Sequence, residues 1–342
     1  MNISFDLNTI WFALVGILFT GYAILDGFDL GVGALHLFTK TDEERRLFLN
    51  AIGPVWDGNE VWLVTGGGAL FAAFPRAYAT VFSGFYMAFM IFLFGLIFRA
   101  VAIEFRSKQP MRWWRQTWDI SFSLSSILSS FVAGVALGNI IWGIPLDAEG
   151  NFTGSFWTLF HPYSLLIGIT TVALFMMHGA IYIVLKTEGA LHDKVREWVN
   201  NTIIFFIICY VITTMVTLIF VPHMVHYFRQ EPVLFLIPFL NMLAVANIPR
   251  EIFRGRDFMA FLSSCAAMIA LMTIFGIGLY PNIVYSIPIA ENSLSIYSAA
   301  SSAKTHGIML IIAIIGVPLV ISYTISIYWI FRGKVKLEVM SY

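Results

Sequence analysis

Two aspartates three residues apart, Asp26 and Asp29, stand in GYAILDGFDLGVG (residues 21–33), a stretch otherwise apolar enough to span a membrane. On a helix, positions i and i+3 share a face. Both carboxyls therefore point the same way, and Tyr22, Gly33 and His36 extend that polar line along the rod. A carboxylate near the middle of a bilayer costs about 2.5 to 3.5 kcal/mol on insertion scales, so it faces the protein interior, a partner or water. Such a group is either paired or carries protons. The plainer alternative is packing: hydrogen-bonded acids beside Gly27 and Gly31, a small-xxx-small ridge on which another helix closes. Two carboxyls on one desolvated face resist ionising together, so one of the pair is expected to hold a proton near neutral pH and to relay it.

Further acids stand at similar depth. Asp57 and Glu60 open the second apolar run within PVWDGNEVWL, Glu104 closes the third, and Asp119 opens the fourth. Each has a bland reading. Carboxylates at helix N-termini are favoured by the dipole and cap free amides, which is the expectation for Asp119. Glu104 beside Arg106 and Lys108 reads equally as an interfacial ion pair. Asp57 resists that treatment, because it lies between two tryptophans with Asn59 and Glu60 at hand, a polar density that suggests a hydrated pocket.

The elements that must hold these acids are membrane helices. The chain has 342 residues, 59% hydrophobic and 12% charged, with a mean hydropathy of +0.82; this is an all-α, polytopic integral membrane protein, one transmembrane domain over residues 1–342. Zero formal net charge, with no basic or acidic tail, gives no footprint for nucleic acid. The first apolar run lacks a basic leader and is expected to remain in the chain. Cys209 and Cys265 lie in apolar runs and read as small buried hydrophobes.

Spans are expected near residues 9–38, 57–74, 78–102, 118–142, 160–186, 199–222, 233–248, 257–280 and 305–331. That makes nine, the seventh short and interrupted by Pro238. Lys and Arg crowd the loops after the first, third, fifth and seventh runs and the C-terminal segment, while Arg76, Arg229 and Lys304 lie on the other side. By the positive-inside rule the N-terminus is outside and the C-terminus cytoplasmic. Trp113, Trp114 and Trp118 then mark the cytoplasmic interface, and the acids from four helices gather on that side. The Gly66–Gly67–Gly68 run and the serines from Ser121 to Ser130 read as close-packing positions.

Seven histidines invite a haem hypothesis. Of these, His36 and His178 lie within apolar runs. Haem needs an axial His, Met or Cys in a roomy pocket. Adjacent residues face different ways, so Met176, Met177 and His178 are not a ligand pair for one iron, and His178 reads as hydrogen-bonded packing. No metal-hydrolase, CxxC or phosphate-loop motif is present, so no independent active site is expected in this chain.

The segments GYAILDGFDLGVGAL, DEERRLFLNAIGPVWDGNEVWLVTGGGALFAAFP, FSGFY and FRAVAIEFRSK, in this order and spacing, resemble subunit II of the cytochrome bd quinol oxidases. The match is dense over residues 14–120 and collinear to the end. The resemblance implies two four-helix bundles and a peripheral helix, in a bacterial cytoplasmic membrane. It implies an oxidoreductase complex that oxidises quinol and reduces dioxygen to water, generating a proton-motive force without pumping. Haem b and haem d would belong to the partner, subunit I, and none would be ligated here. Some members carry a structural quinone, and a small single-span accessory subunit is a further expected partner. Subunit II would steady subunit I and supply a cytoplasmic proton route. Asp26, Asp29, Asp57 and Glu104 match acidic sites of the family motifs, with Glu60 beside Asp57.

Two other functions would also use intramembrane acids. A stand-alone proton-coupled secondary transporter predicts inverted repeats and broken helices around a central site, and only Pro238 offers a break. A pure membrane scaffold predicts that replacing Asp26 and Asp29 leaves activity intact.

Overall fold

In lipid every backbone polar group must be satisfied within the chain, so a sequence this apolar folds as end-to-end helices. The computed structural model describes residues 6–337. Its helices are α1 (Leu7–Leu35), α2 (Asp42–Ile52), α3 (Trp56–Ala73), α4 (Pro75–Gly84), α5 (Tyr86–Phe105), α6 (Arg112–Trp142), α7 (Pro162–Lys186), α8 (Gly189–Phe220), α9 (His226–Gln230), α10 (Leu236–Phe253), α11 (Asp257–Leu279) and α12 (Ala303–Ile330). A small antiparallel ribbon pairs β1 (Asn282–Val284) with β2 (Leu294–Ser295).

Helices α1, α3, α5 and α6 form one four-helix bundle, and α7, α8, α10 and α11 the other. They join through α1 and α6 against α7, and α12 lies outside both, touching α1 and α3. The joint is close: a Cβ on Gly31 of α1 would come within 1.8 Å of the Phe175 carbonyl of α7. The small-residue ridge expected at Gly27 and Gly31 is thus the seam between the bundles, with Phe28, Val32, Met177 and Ile181 buried in the core around it.

Eight helices among the described residues are long and apolar enough to cross a membrane. The second of the nine expected runs is α3, whose first turn and a half carries Asp57, Asn59 and Glu60 and so dilutes its hydropathy. It nonetheless traverses the bundle, since its last residue, Ala73, accepts from Ser301 N at 2.8 Å and from His306 Nε2 at 2.9 Å at the ribbon end. The expected run at 78–102 is broken at Phe85 into α4 and α5. The interruption expected at Pro238 does not occur. Pro238 occupies the first turn of α10, where no intrahelical N–H is needed, and Pro249 is the proline inside that helix.

The lysine-rich and arginine-rich loops share one end, which also holds the amphipathic α2. A capping box starts α2: Thr41 Oγ1 accepts from Glu44 N at 3.2 Å, while the Glu44 carboxylate accepts from Thr41 N at 3.4 Å. Phe48, Leu49 and Ile52 then press into the core. Lys194 Nζ reaches Glu44 at 2.8 Å, and Val335 N donates to the Lys186 carbonyl at 2.8 Å, so successive loops lace this end together.

Candidate functional site

Helix periodicity does align Tyr22, Asp26, Asp29 and His36, yet the stripe serves two separate ionic clusters. In the first, Asp26 and Asp29 are fully buried and face Arg99 of α5, itself fully buried. Arg99 Nη1 lies 2.7 Å from Asp26 Oδ1, and Nη2 donates to Glu60 Oε1 at 2.5 Å. Asp29 takes a different partner: Asn59 Nδ2 of α3 donates to its Oδ2 at 2.7 Å and to the Leu25 carbonyl at 3.2 Å. From α12, Tyr328 donates its hydroxyl hydrogen to Asn59 Oδ1 at 2.9 Å. Two carboxyls therefore contact one guanidinium with a third beside them, three acids to one cation in a site exposed only at Glu60.

The second cluster lies about two turns beyond Asp29, at His36 just past the end of α1 and towards α2. Asp119 is buried and accepts from Arg106 Nε at 2.6 Å and Arg45 Nη1 at 2.7 Å, and lies 2.6 Å from His36 Nε2. Arg106 Nη2 also donates to Asp42 at 2.7 Å, which Arg115 Nη1 meets at 3.1 Å. The expectation that Asp119 caps a helix is overturned. Arg112 begins α6, so Asp119 sits two turns inside it, beyond reach of the free first-turn amides. Arg106 also pairs with Asp42 at the edge of this cluster.

Of the acids singled out from the sequence, Asp26, Asp29 and Glu60 meet around Arg99. Asp57 and Glu104 do not join them. Glu104 is half-buried beyond Arg99 on α5, and Asp57 is exposed on the outer face of α3. That face is otherwise apolar: Val61, Val64 and Phe71 are exposed at heptad spacing from Asp57, and a Cβ on Gly67 or Gly68 would meet nothing within 4 Å. Gly66 instead faces the ring of Phe19. The serines of α6 pack: Ser126 and Ser130 bond back to their own helix, and Ser126 fills the space that a Cβ on Gly33 would need.

Arg99 and Tyr328 escaped the sequence reading. The signal for Arg99 was available, since a lone arginine inside the apolar run YMAFMIFLFGLIFRAVAIEF must find a carboxylate. Tyr328 carried none, because one tyrosine in an apolar helix is ordinary.

Axial haem ligation does not fit His178. Its Nδ1 lies 2.7 Å from Ser264 Oγ and its Nε2 3.0 Å from the Ile24 carbonyl, so both ring nitrogens are engaged within the bundle. His306 bonds through Nε2 to the Ala73 carbonyl. Among the described residues no group of three or more His, Cys, Asp or Glu side chains could hold a metal ion.

A family model described as cytochrome bd terminal oxidase subunit II matches residues 7–331. The chain is 33% identical over 363 aligned positions to the cytochrome bd-I ubiquinol oxidase subunit 2 of Escherichia coli K12, covering 97% of this chain and 96% of that one. It is 35% identical over 335 positions to the cytochrome bd ubiquinol oxidase subunit 2 of Bacillus subtilis, covering 97% of each. In three dimensions it resembles a chain from the bd oxidase of Geobacillus thermodenitrificans, with a TM-score of 0.79 at 17% identity over 95% of this chain and 98% of the other. That last likeness speaks for the fold.

Proposed function

Since the chain belongs to the cytochrome bd terminal oxidase subunit II family, as part of a quinol-oxidising respiratory complex of the bacterial membrane, we propose that it steadies a haem-bearing subunit I and supplies that subunit with protons from the cytoplasm. The haems would belong to subunit I, and quinol would be substrate of the complex. The observation that carries this reading is the acid excess around Arg99: Asp26, Asp29 and Glu60 against one guanidinium, buried beneath the arginine-rich end. By the positive-inside rule that end is cytoplasmic, so a proton entering there meets Glu104 and Asp57 at the margins and the buried pair within.

Asp57 is the natural point of transfer. It stands at the end of the exposed stripe of Val61, Val64, Gly68 and Phe71. In a bilayer, bare glycines are where a neighbouring helix comes closest, and an outward carboxylate is tolerated when a partner encloses it. Subunit I covering this stripe would turn Asp57 from a lipid-facing acid into one lining the joint. A transporter reading has less support, because α10 is continuous past Pro238 and the described helices hold no broken pair around a central site.

The test is turnover of the complex copurified in mild detergent. Asp57→Asn is expected to lower quinol oxidase turnover at least tenfold and to raise the solvent isotope effect, while the haem spectrum per complex stays that of the parent. Unchanged turnover and isotope effect in both Asp57→Asn and Asp29→Asn would reduce these acids to structural roles. A tagged chain that purifies alone, colourless and stable, would sink the subunit reading itself.

A further inference from the structure

Resting on the proton-route reading above, we propose that the relayed proton of Asp29 sits on Oδ1, and that Tyr328 is a positioning residue which keeps it there through Asn59. The argument begins at the Leu25 carbonyl, which can only accept. The Asn59 amide nitrogen lies 3.2 Å from it and 2.7 Å from Asp29 Oδ2, so the two hydrogens of one NH2 group serve these two oxygens. Turning the amide over would set Oδ1 against the Leu25 carbonyl, two lone pairs opposed. The amide orientation is therefore fixed by its surroundings.

Two consequences follow from that orientation. Asn59 Oδ1 is left facing Tyr328, 2.9 Å away, so the tyrosine hydroxyl donates. At the other end, Asp29 Oδ2 receives an N–H and has no room for a hydrogen of its own on that side. Asp29 Oδ1 is buried and has no hydrogen-bond partner among the described residues. Of the two Asp29 oxygens it is the one free to take up and release a proton; both Asp26 oxygens also have no hydrogen-bond partner among the described residues, but Oδ1 there lies 2.7 Å from Arg99 Nη1. The titratable neighbours are otherwise engaged: Arg99 is in contact with Asp26 and Glu60, and both nitrogens of His178 are bonded elsewhere. The whole donor chain runs one way, Tyr328 to Asn59 to Asp29, and it starts on α12, outside both bundles.

Infrared difference spectroscopy of the assembled complex across a pH step, in H2O and in D2O, tests this assignment. The reporter is the carboxylic C=O band that disappears in Asp29→Asn. A carbonyl that accepts a hydrogen bond absorbs at lower wavenumber than a free one. With the proton on Oδ1, the C=O is Oδ2 and accepts from Asn59, so Asn59→Leu is expected to move the band upwards. Tyr328→Phe keeps the ring and Asn59 but removes the polarising donor, and a smaller shift in the same direction is expected. An unmoved band in Asn59→Leu overturns the proposal, as does the absence at every pH of any carboxylic band lost in Asp29→Asn. Should Asn59→Leu fail to assemble, Tyr328→Phe carries the test alone, and an unmoved band there overturns it. The route reading fails separately: a shifted band in a complex whose Asp29→Asn variant turns over at the parental rate leaves the proton where it is placed and removes its role in turnover.

Discussion

The two ionic clusters both set carboxylates against arginine, one reached from α1 and the other from His36 just past its end, and they differ in which sign is in excess. Around Arg99 three carboxyls face one guanidinium. Around Asp119 the balance reverses, with Arg45, Arg106, Arg115 and His36 set against Asp119 and Asp42. An acid-rich buried site is neutralised by protons where cations fall short, and the proposed proton route draws on that excess. A site with surplus arginine is already satisfied without protons, because guanidinium does not give one up in the accessible pH range. The second cluster is consequently a clamp. It ties the end of α1, the amphipathic α2, the end of α5 and the start of α6, and thereby fixes the helices on which the first cluster depends.

Breaking the first cluster at its one cation should have the largest effect. Arg99→Met leaves buried Asp26 and half-buried Glu60 without their shared cation, and removing one partner of a buried ion pair costs about 3 to 5 kcal/mol. The expected outcome is loss of assembled oxidase from membranes, seen as absence of the haem spectrum in the detergent extract. A double variant, Arg99→Met with Asp26→Asn, should recover much of the assembly, since replacing both partners is far less costly than replacing one. Failure of the double variant to recover would mean that Arg99 is held chiefly by Glu60.

What was legible in the sequence follows the same division between local and long-range information. The i, i+3 spacing of Asp26 and Asp29 on an apolar helix suffices to place them on one face, and apolar run length suffices for the helical architecture. The two-bundle fold and the subunit II family, both expected from motif order, stand in the structure and its relatives. The destination of each polar side chain depends on contacts between residues far apart in sequence, and there the reading was partial. His36 continues the Asp26 line by periodicity, but pairs with Asp119, 83 residues away. Asp119 looks like a cap because it follows a loop, but α6 starts two turns earlier. Tyr328 reaches Asn59 across 269 residues, which no local pattern announces. Pro238 looked like a break because proline interrupts helix interiors, and the position of the helix start made it harmless.

If the second cluster is a clamp, its central acid should matter to stability and little to turnover. Asp119→Asn keeps the shape and removes the charge that Arg45 and Arg106 share, for an expected loss of about 3 kcal/mol. The complex should melt at lower temperature and yield less on extraction, with quinol turnover per haem within twofold of the parent. The comparison with Asp57→Asn is then a clean crossing, one variant losing stability at constant turnover and the other losing turnover at constant stability. A large drop in turnover per haem in Asp119→Asn, without a stability change, would place Asp119 on the proton path and dissolve the distinction.

The clamp should also weaken towards its exposed rim, and Glu44 measures that. Partial burial works against its charge, but the hydrogen bonds from Lys194 and from the backbone amides of Lys40 and Thr41 outweigh it and hold the carboxyl below its ordinary value. A carboxyl whose folded value is depressed stabilises the fold fully above its unfolded value, and that contribution is lost as pH falls through the ordinary carboxylate range towards the folded value. Solvent screening limits the effect at so exposed a site to about 0.5 kcal/mol. Glu44→Gln should therefore lower the melting temperature of the complex slightly at pH 7, by an amount that shrinks as pH falls through the ordinary carboxylate range, parent and variant converging only once pH is below the depressed folded value. Arg45 and Arg106 on buried Asp119 bear the clamp's strength, so a Glu44→Gln loss as large as that of Asp119→Asn would show that α2 is held by its cap and by Lys194 instead.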